Sequence, residues 1–148
     1  MTSITKIMTT EVLTLTPQHS LSDARLMMME KRIRHIPIVN DKNELIGLIS
    51  QRDVLAAEES SLYGIKKDLR LEREQNIKIA DFYHNNLVTI PPQASVHQAA
   101  LYLQKHKIGC LPVVEDNMLK GLVTDSDFVN VAINLLEVMS EPEEDHYS

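Results

Sequence analysis

The sequence predicts an α+β fold built from two β-α-β-β-α motifs related by a pseudo-twofold axis. Three observations predict it: an internal repeat, one order of hydrophobic periodicities in both copies, and the chain length. Residues 12–53 align on 87–127 with Lys42 skipped, at an offset of 75 before that gap and 74 after it. Fifteen of the 41 aligned pairs are identical, against about two or three expected from average composition. Two copies are too few for a solenoid, and a lone unit this small would leave apolar surface exposed. With 148 residues, 43% of them hydrophobic, the chain suits a pseudo-symmetric pair packed face to face.

Each copy shows the same elements in order. Val12 to Leu15 reads as a short strand that Pro17 ends, and Ser20 is placed to cap the helix that follows. Leu21, Ala24 and Met28 fall at i, i+3 and i+7, one face of that helix. Met27, Met28 and Met29 read as helix core. Ile36 to Val39 and Leu45 to Ile49 flank Asn and Asp residues, a hairpin signal, and a second helix starts near Arg52. The second copy repeats this with Leu87 to Ile90, Val96 to Leu103, Leu111 to Val114, Leu119 to Val123 and Phe128 to Val138. The expected organisation is motif one at 1–57, a helical insert at 58–79, motif two at 80–138 and an acidic flexible tail at 139–148. Leu62, Ile65 and Leu69 give the insert a narrow apolar stripe, suited to a connector helix or to a partner contact.

Composition excludes several functions. A net charge of −6 argues against non-specific nucleic-acid binding. The spacing of the four glycines makes no phosphate-cradling loop. A single cysteine, Cys110, rules out an internal disulfide and reads as a small packed residue. The six histidines form no i, i+4 pair, so no metal site is expected. No run of 18 apolar residues and no leader-like segment occur, so a cytoplasmic protein without membrane contact is expected. No nucleophile, base and orienter group together, so an enzyme is not expected.

The segments Gly47 to Asp53 and Gly121 to Asp127 share one pattern: Gly, two apolar residues, a hydroxyl, two variable residues, Asp. A strand here runs into a helix. Ser50 with Asp53, and Thr124 with Asp127, suit a capping box. The same geometry suits a ribose, whose cis-diol donates to a fixed carboxylate while the helix N-terminus favours anions. Capping and binding are compatible, and the pattern alone does not separate them.

These segments, with Ile7-Met8-Thr9, Arg34 to Val39 and Gly109 to Val114, resemble a pair of CBS domains, the module named after cystathionine β-synthase. The resemblance spans everything except the insert and the tail. It implies a cleft on each side of the paired sheets for an adenine nucleotide (AMP, ADP or ATP), with no covalent cofactor. Adenine would lie against Val12, Leu13, Ile36 and Pro37 in one copy and Leu87, Val88, Leu111 and Pro112 in the other. Asp53 and Asp127 would hold ribose, with Ser50 and Thr124 beside them. Arg34 and His35 would meet phosphate, although Lys31 to His35 equally suits a solvated helix end; Gly109 and Cys110 replace them in the second copy. The resemblance further implies a homodimer. With no effector domain in view, a regulatory module signalling to a separate effector protein is expected; the alternative is a constitutive interaction module with empty clefts, bound through the insert. The layout also resembles the first part of bacterial acetoin-utilisation CBS proteins, and no pathway follows from that.

Overall fold

The computed structural model describes residues 2–62 and 74–144, except the side chains of 59–62 and 141–144. Ile65, Leu69 and the Leu62 side chain of the expected insert stripe lie outside the described residues. In chain order the elements are α1 (Leu21–Lys31), β1 (His35–Val39), β2 (Leu45–Ser50), α2 (Gln51–Leu62), α3 (Val96–His106), β3 (Cys110–Glu115), β4 (Met118–Thr124) and α4 (Asp125–Glu144).

Local chemistry explains most of these boundaries. Ser20 caps α1: its hydroxyl accepts the Asp23 N–H, and the Asp23 carboxylate accepts the Ser20 N–H. Ser95 and Gln98 form the same reciprocal box on α3. Such a cap stabilises a helix by about 1 kcal/mol. Both helices stop on a left-handed residue, Arg32 (φ 54°) and Lys107 (φ 53°). The hairpins pair Ile36 with Ile49 and Ile38 with Gly47, and Leu111 with Val123 and Val113 with Gly121. Asp116 and Asn117 turn the second hairpin with φ of 53° and 68°, the backbone of a two-residue turn that matches strand twist. Lys42 lengthens the first turn, where the Asn40 side-chain oxygen accepts the N–H groups of Lys42 and Glu44.

Three expectations change. The leading strands shrink to single parallel bridges, Leu15 with Ile38 and Ile90 with Val113, because a proline follows within two residues and cannot donate to a ladder. Of the methionine run, Met28 is in the core, Met27 is half-buried, and Met29 is exposed. The last helix runs on to Glu144, so residues 139–144 of the expected tail are helical.

Among the described residues there are two hydrophobic cores, and the lead-in segments cross between them. Ile79 is fully buried against Leu21, Ala24, Ile36, Ile38 and Ile49 of the first motif. Ile4 is fully buried against Ile90, Ala99, Leu111, Val113 and Val123 of the second. Backbone bonds lock both crossings: Ile4 N–H to Ala94 O (2.8 Å), Ile79 N–H to His19 O (2.9 Å), and reciprocal pairs joining Thr9 to Leu122 and His84 to Leu48. Two glycines make room. A Cβ on Gly47 would meet the Tyr83 ring and lie 2.9 Å from His84 O, and one on Gly121 would lie 2.9 Å from Thr9 O. Arg25 binds Glu74 (2.9 Å) and Glu58 (3.3 Å), tying both ends of the insert to α1.

Candidate functional site

The crossings create two clefts, each assembled from both motifs. In the first, of about 290 Å³, Val12, Leu13, Ile33, Arg34 and His35 face Thr9, Leu122, Thr124, Asp125 and Ser126, with Glu11 and Arg32 at its edge. In the second, of about 360 Å³, Leu87, Val88, Ile108, Gly109 and Cys110 face His84, Leu48, Ser50, Arg52 and Asp53. Most positions of these walls are repeat partners (Asp125 and Asp53 are the exceptions among the facing residues named), so the lead-in of one copy meets the strand-to-helix junction of the other. A third cavity of about 470 Å³ on the pseudo-twofold carries Arg34, Arg52, Lys107 and Asp125.

The structure thus brings Val12, Leu13, Arg34, His35 and Thr124 together, and separately Leu87, Val88, Ser50 and Asp53. Ile36, Pro37, Leu111 and Pro112 are fully buried, and Ile36 and Leu111 belong to the cores behind the clefts. Asp127 stands one turn behind Thr124, and its Oδ2 accepts the Thr124 N–H at 2.8 Å.

The two junctions differ in detail. Asp53 Oδ2 accepts both the N–H (2.7 Å) and the hydroxyl (2.9 Å) of Ser50, whose oxygen in turn accepts the Asp53 N–H (3.2 Å). Asp53 Oδ1 lies 2.6 Å from His84 Nε2. The Thr124 hydroxyl lies at 3.5 Å from Asp127, a weak contact. His84 is a cleft residue outside the set that the sequence motifs single out. The repeat carried upstream at the same offset sets His84 against Thr9, and that signal would have placed it on a cleft wall.

His35 lines both clefts and the axial cavity. Burial holds its imidazole below the ordinary value; the Asp125 carboxylate opposes that shift, Arg34 reinforces it, and Asp53 opposes it. Cys110 is pushed up to about 12, chiefly by burial and then by Asp125 and Asp127. Its thiol is therefore protonated at neutral pH and is a packed wall residue there, since the thiolate is the reactive form. Among the described residues no cluster of three or more His, Cys, Asp or Glu is placed to hold a metal ion. None of the described helices is long and apolar enough to cross a membrane.

What these clefts can do chemically is hold a flat apolar group against the lead-in wall and a polar, hydroxyl-bearing group against the junction. Two helix N-termini and four cationic side chains, Arg32, Arg34, Arg52 and Lys107, border that space, which favours anionic substituents.

Comparison with known proteins agrees with the architecture. The chain is 36% identical over 120 residues to inosine-5′-monophosphate dehydrogenase of Staphylococcus aureus; the match takes 79% of this chain and 22% of that enzyme. The chain therefore spans about a fifth of the curated relatives it matches. Among solved structures, a Vibrio cholerae protein provisionally described as an acetoin utilization protein superposes with a TM-score of 0.79 at 44% identity, over 95% of this chain and 97% of that one. The CBS domain pair of protein MJ0100, in complex with 5′-methylthioadenosine and S-adenosyl-L-methionine, gives a TM-score of 0.72 at 25% identity, over 88% and 98%. The sequence profile of the CBS domain matches residues 4–60 and again 79–134. Matched twice, over well more than half of its length, this chain belongs to the CBS domain family and carries a pair of CBS motifs.

Proposed function

We propose that the chain is a non-catalytic regulatory module that binds an adenine-containing nucleotide (AMP, ADP or ATP) in its two crossed clefts. The observation that carries this reading is the pairing of an apolar lead-in edge with a hydroxyl–carboxylate junction at a helix start, twice. Adenine packs on Val12 and Leu13 or on Leu87 and Val88, ribose bonds the Thr124 or Ser50 junction, and phosphate meets Arg34 or Arg52. The adenosine ligands held by the MJ0100 pair support the ligand class. Occupancy is passed on through the angle between motifs, because a ligand shifts an equilibrium only by binding one arrangement more tightly. A homodimer is supported by exposed apolar side chains on all four helices, among them Leu26, Met29, Leu55, Leu101, Val129, Ile133 and Leu136, since large exposed apolar surface marks interaction sites. The output then acts on a separate effector protein.

Isothermal titration with AMP, ADP, ATP and S-adenosylmethionine tests the reading, with Asp53→Ala and Asp127→Ala in parallel. Micromolar binding that weakens in at least one variant is the expected outcome. Silence across the panel, from folded protein free of co-purified ligand, would sink it and favour an interaction module with empty clefts.

A further inference from the structure

The two junctions share a skeleton, yet among the described residues only that of Asp53 has both carboxylate oxygens engaged. Asp53 Oδ2 already accepts two bonds from Ser50, and Oδ1 faces His84 Nε2 at 2.6 Å. Since the carboxylate only accepts, Nε2 is the protonated ring nitrogen. A carboxylate offers about four acceptor positions, so little remains for a diol that must donate to both oxygens. At the other junction the position of His84 is held by Thr9, and Asp127 Oδ1 has no partner among the described residues.

His84 is also built to move. Its side chain is 65% exposed while that of Asp53 is 17% exposed, so the ring can swing into water without opening the core. Its backbone is fixed: its N–H and C=O both pair with Leu48 (3.1 and 2.9 Å), directly over Gly47. A fixed main chain carrying an exposed side chain that bonds Asp53 describes a latch.

We propose that His84 is a latch on the second cleft, standing in for a ribose hydroxyl on Asp53. The clefts then fill in order: the Thr124 cleft takes the first adenosine ligand, and the Ser50 cleft takes a second only after the imidazole leaves. The ligand class is a ribonucleoside with a free 2′,3′-diol, and the proposal rests on the nucleotide reading above.

The test is calorimetry with AMP on the full chain. Asp127→Ala isolates the second cleft and is expected to bind weakly; adding His84→Ala is expected to raise that affinity by about tenfold, the effect of freeing one charge-assisted bond. His84→Gln, which keeps a donor, is expected to stay closer to the latched state. Imidazole nitrogen shifts of His84 in the otherwise native chain supply a readout independent of folding: saturating AMP is expected to abolish the Asp53 bond. Unchanged or lower affinity in the double variant, while the native chain still binds AMP through Asp127, overturns the latch and leaves the nucleotide reading standing. Absence of AMP binding in the native chain and in every variant overturns both.

Discussion

Thr9 and His84 occupy the same place in the two clefts, each paired through its backbone to a β-strand leucine, Leu122 or Leu48. Only His84 reaches the aspartate of its junction. Across the clefts Arg34 and His35 answer to Gly109 and Cys110, while Ser126 answers to Arg52. Copy one therefore supplies Arg34 to one cleft and Arg52 to the other, from opposite walls. A Cβ at Gly109 would lie 3.2 Å from Asp125 Oδ2, so a larger residue there would crowd the acid that faces His35. The comparison teaches that duplication preserved the packing of the lead-in segments while the polar residues on the walls diverged. Equivalent position does not mean equivalent affinity.

The largest expected effect strikes what the clefts share. Gly121→Ala and Gly47→Ala would each force a crossing segment off its hairpin, because the new methyl meets backbone oxygen. Each should cost about 1–3 kcal/mol, the usual range for overpacking, read as a shift in the urea midpoint. Gly121→Ala should also disturb the Thr9 wall and weaken the first cleft, and Gly47→Ala should do the same at His84 in the second. Midpoints that stay at the native value would show that the crossings tolerate what the geometry forbids.

A smaller effect separates the clefts. Arg34→Ala should lower AMP affinity in the first cleft about tenfold through loss of charge-assisted bonds to phosphate, and should leave adenosine binding alone. Arg52→Ala should act likewise on the second cleft, seen best in an Asp127→Ala background. Equal losses for AMP and adenosine would show that these arginines shape the walls and do not read phosphate.

The smallest effect concerns the residue both clefts share. His35 has a folded value below its ordinary 6.5, mainly because it is buried. As pH falls, the unfolded chain therefore takes up this proton first. The corresponding stability is complete above 6.5 and drains away as pH falls through the folded value. Melting temperatures between pH 8 and pH 5 should decline on the acid side, and His35→Gln should flatten that decline. An unaltered slope would assign it to other groups.

Much of this architecture was legible locally. Ser20 announces its helix, Asn and Asp residues announce the hairpin turn, and the apolar runs that flank them announce both hairpins. Each signal acts over a few residues, so one strand of sequence contains it. The composition of the clefts was legible only in part. Val12, Leu13, Leu87, Val88, Ser50 and Asp53 do line a cleft, yet Ile36, Pro37, Leu111 and Pro112 turn inward. A strand buried on both faces has no alternation to say which side chain meets a cavity.

By itself, the sequence determined that there are two motifs, which elements each contains, and which residues bear hydroxyl and carboxylate groups. Tertiary structure alone decided that Ile4 packs on the second motif and Ile79 on the first, and hence that Val12 meets Thr124 while Leu87 meets Ser50. The physical reason lies in the repeat. With two nearly alike apolar lead-ins and two nearly alike hairpins, straight and crossed pairings satisfy the same hydrophobic pattern. The choice between them is seen only in the fold, where Tyr83 and His84 pack over Gly47 and Met8 and Thr9 over Gly121, and the placement of His84 on Asp53 follows from that choice.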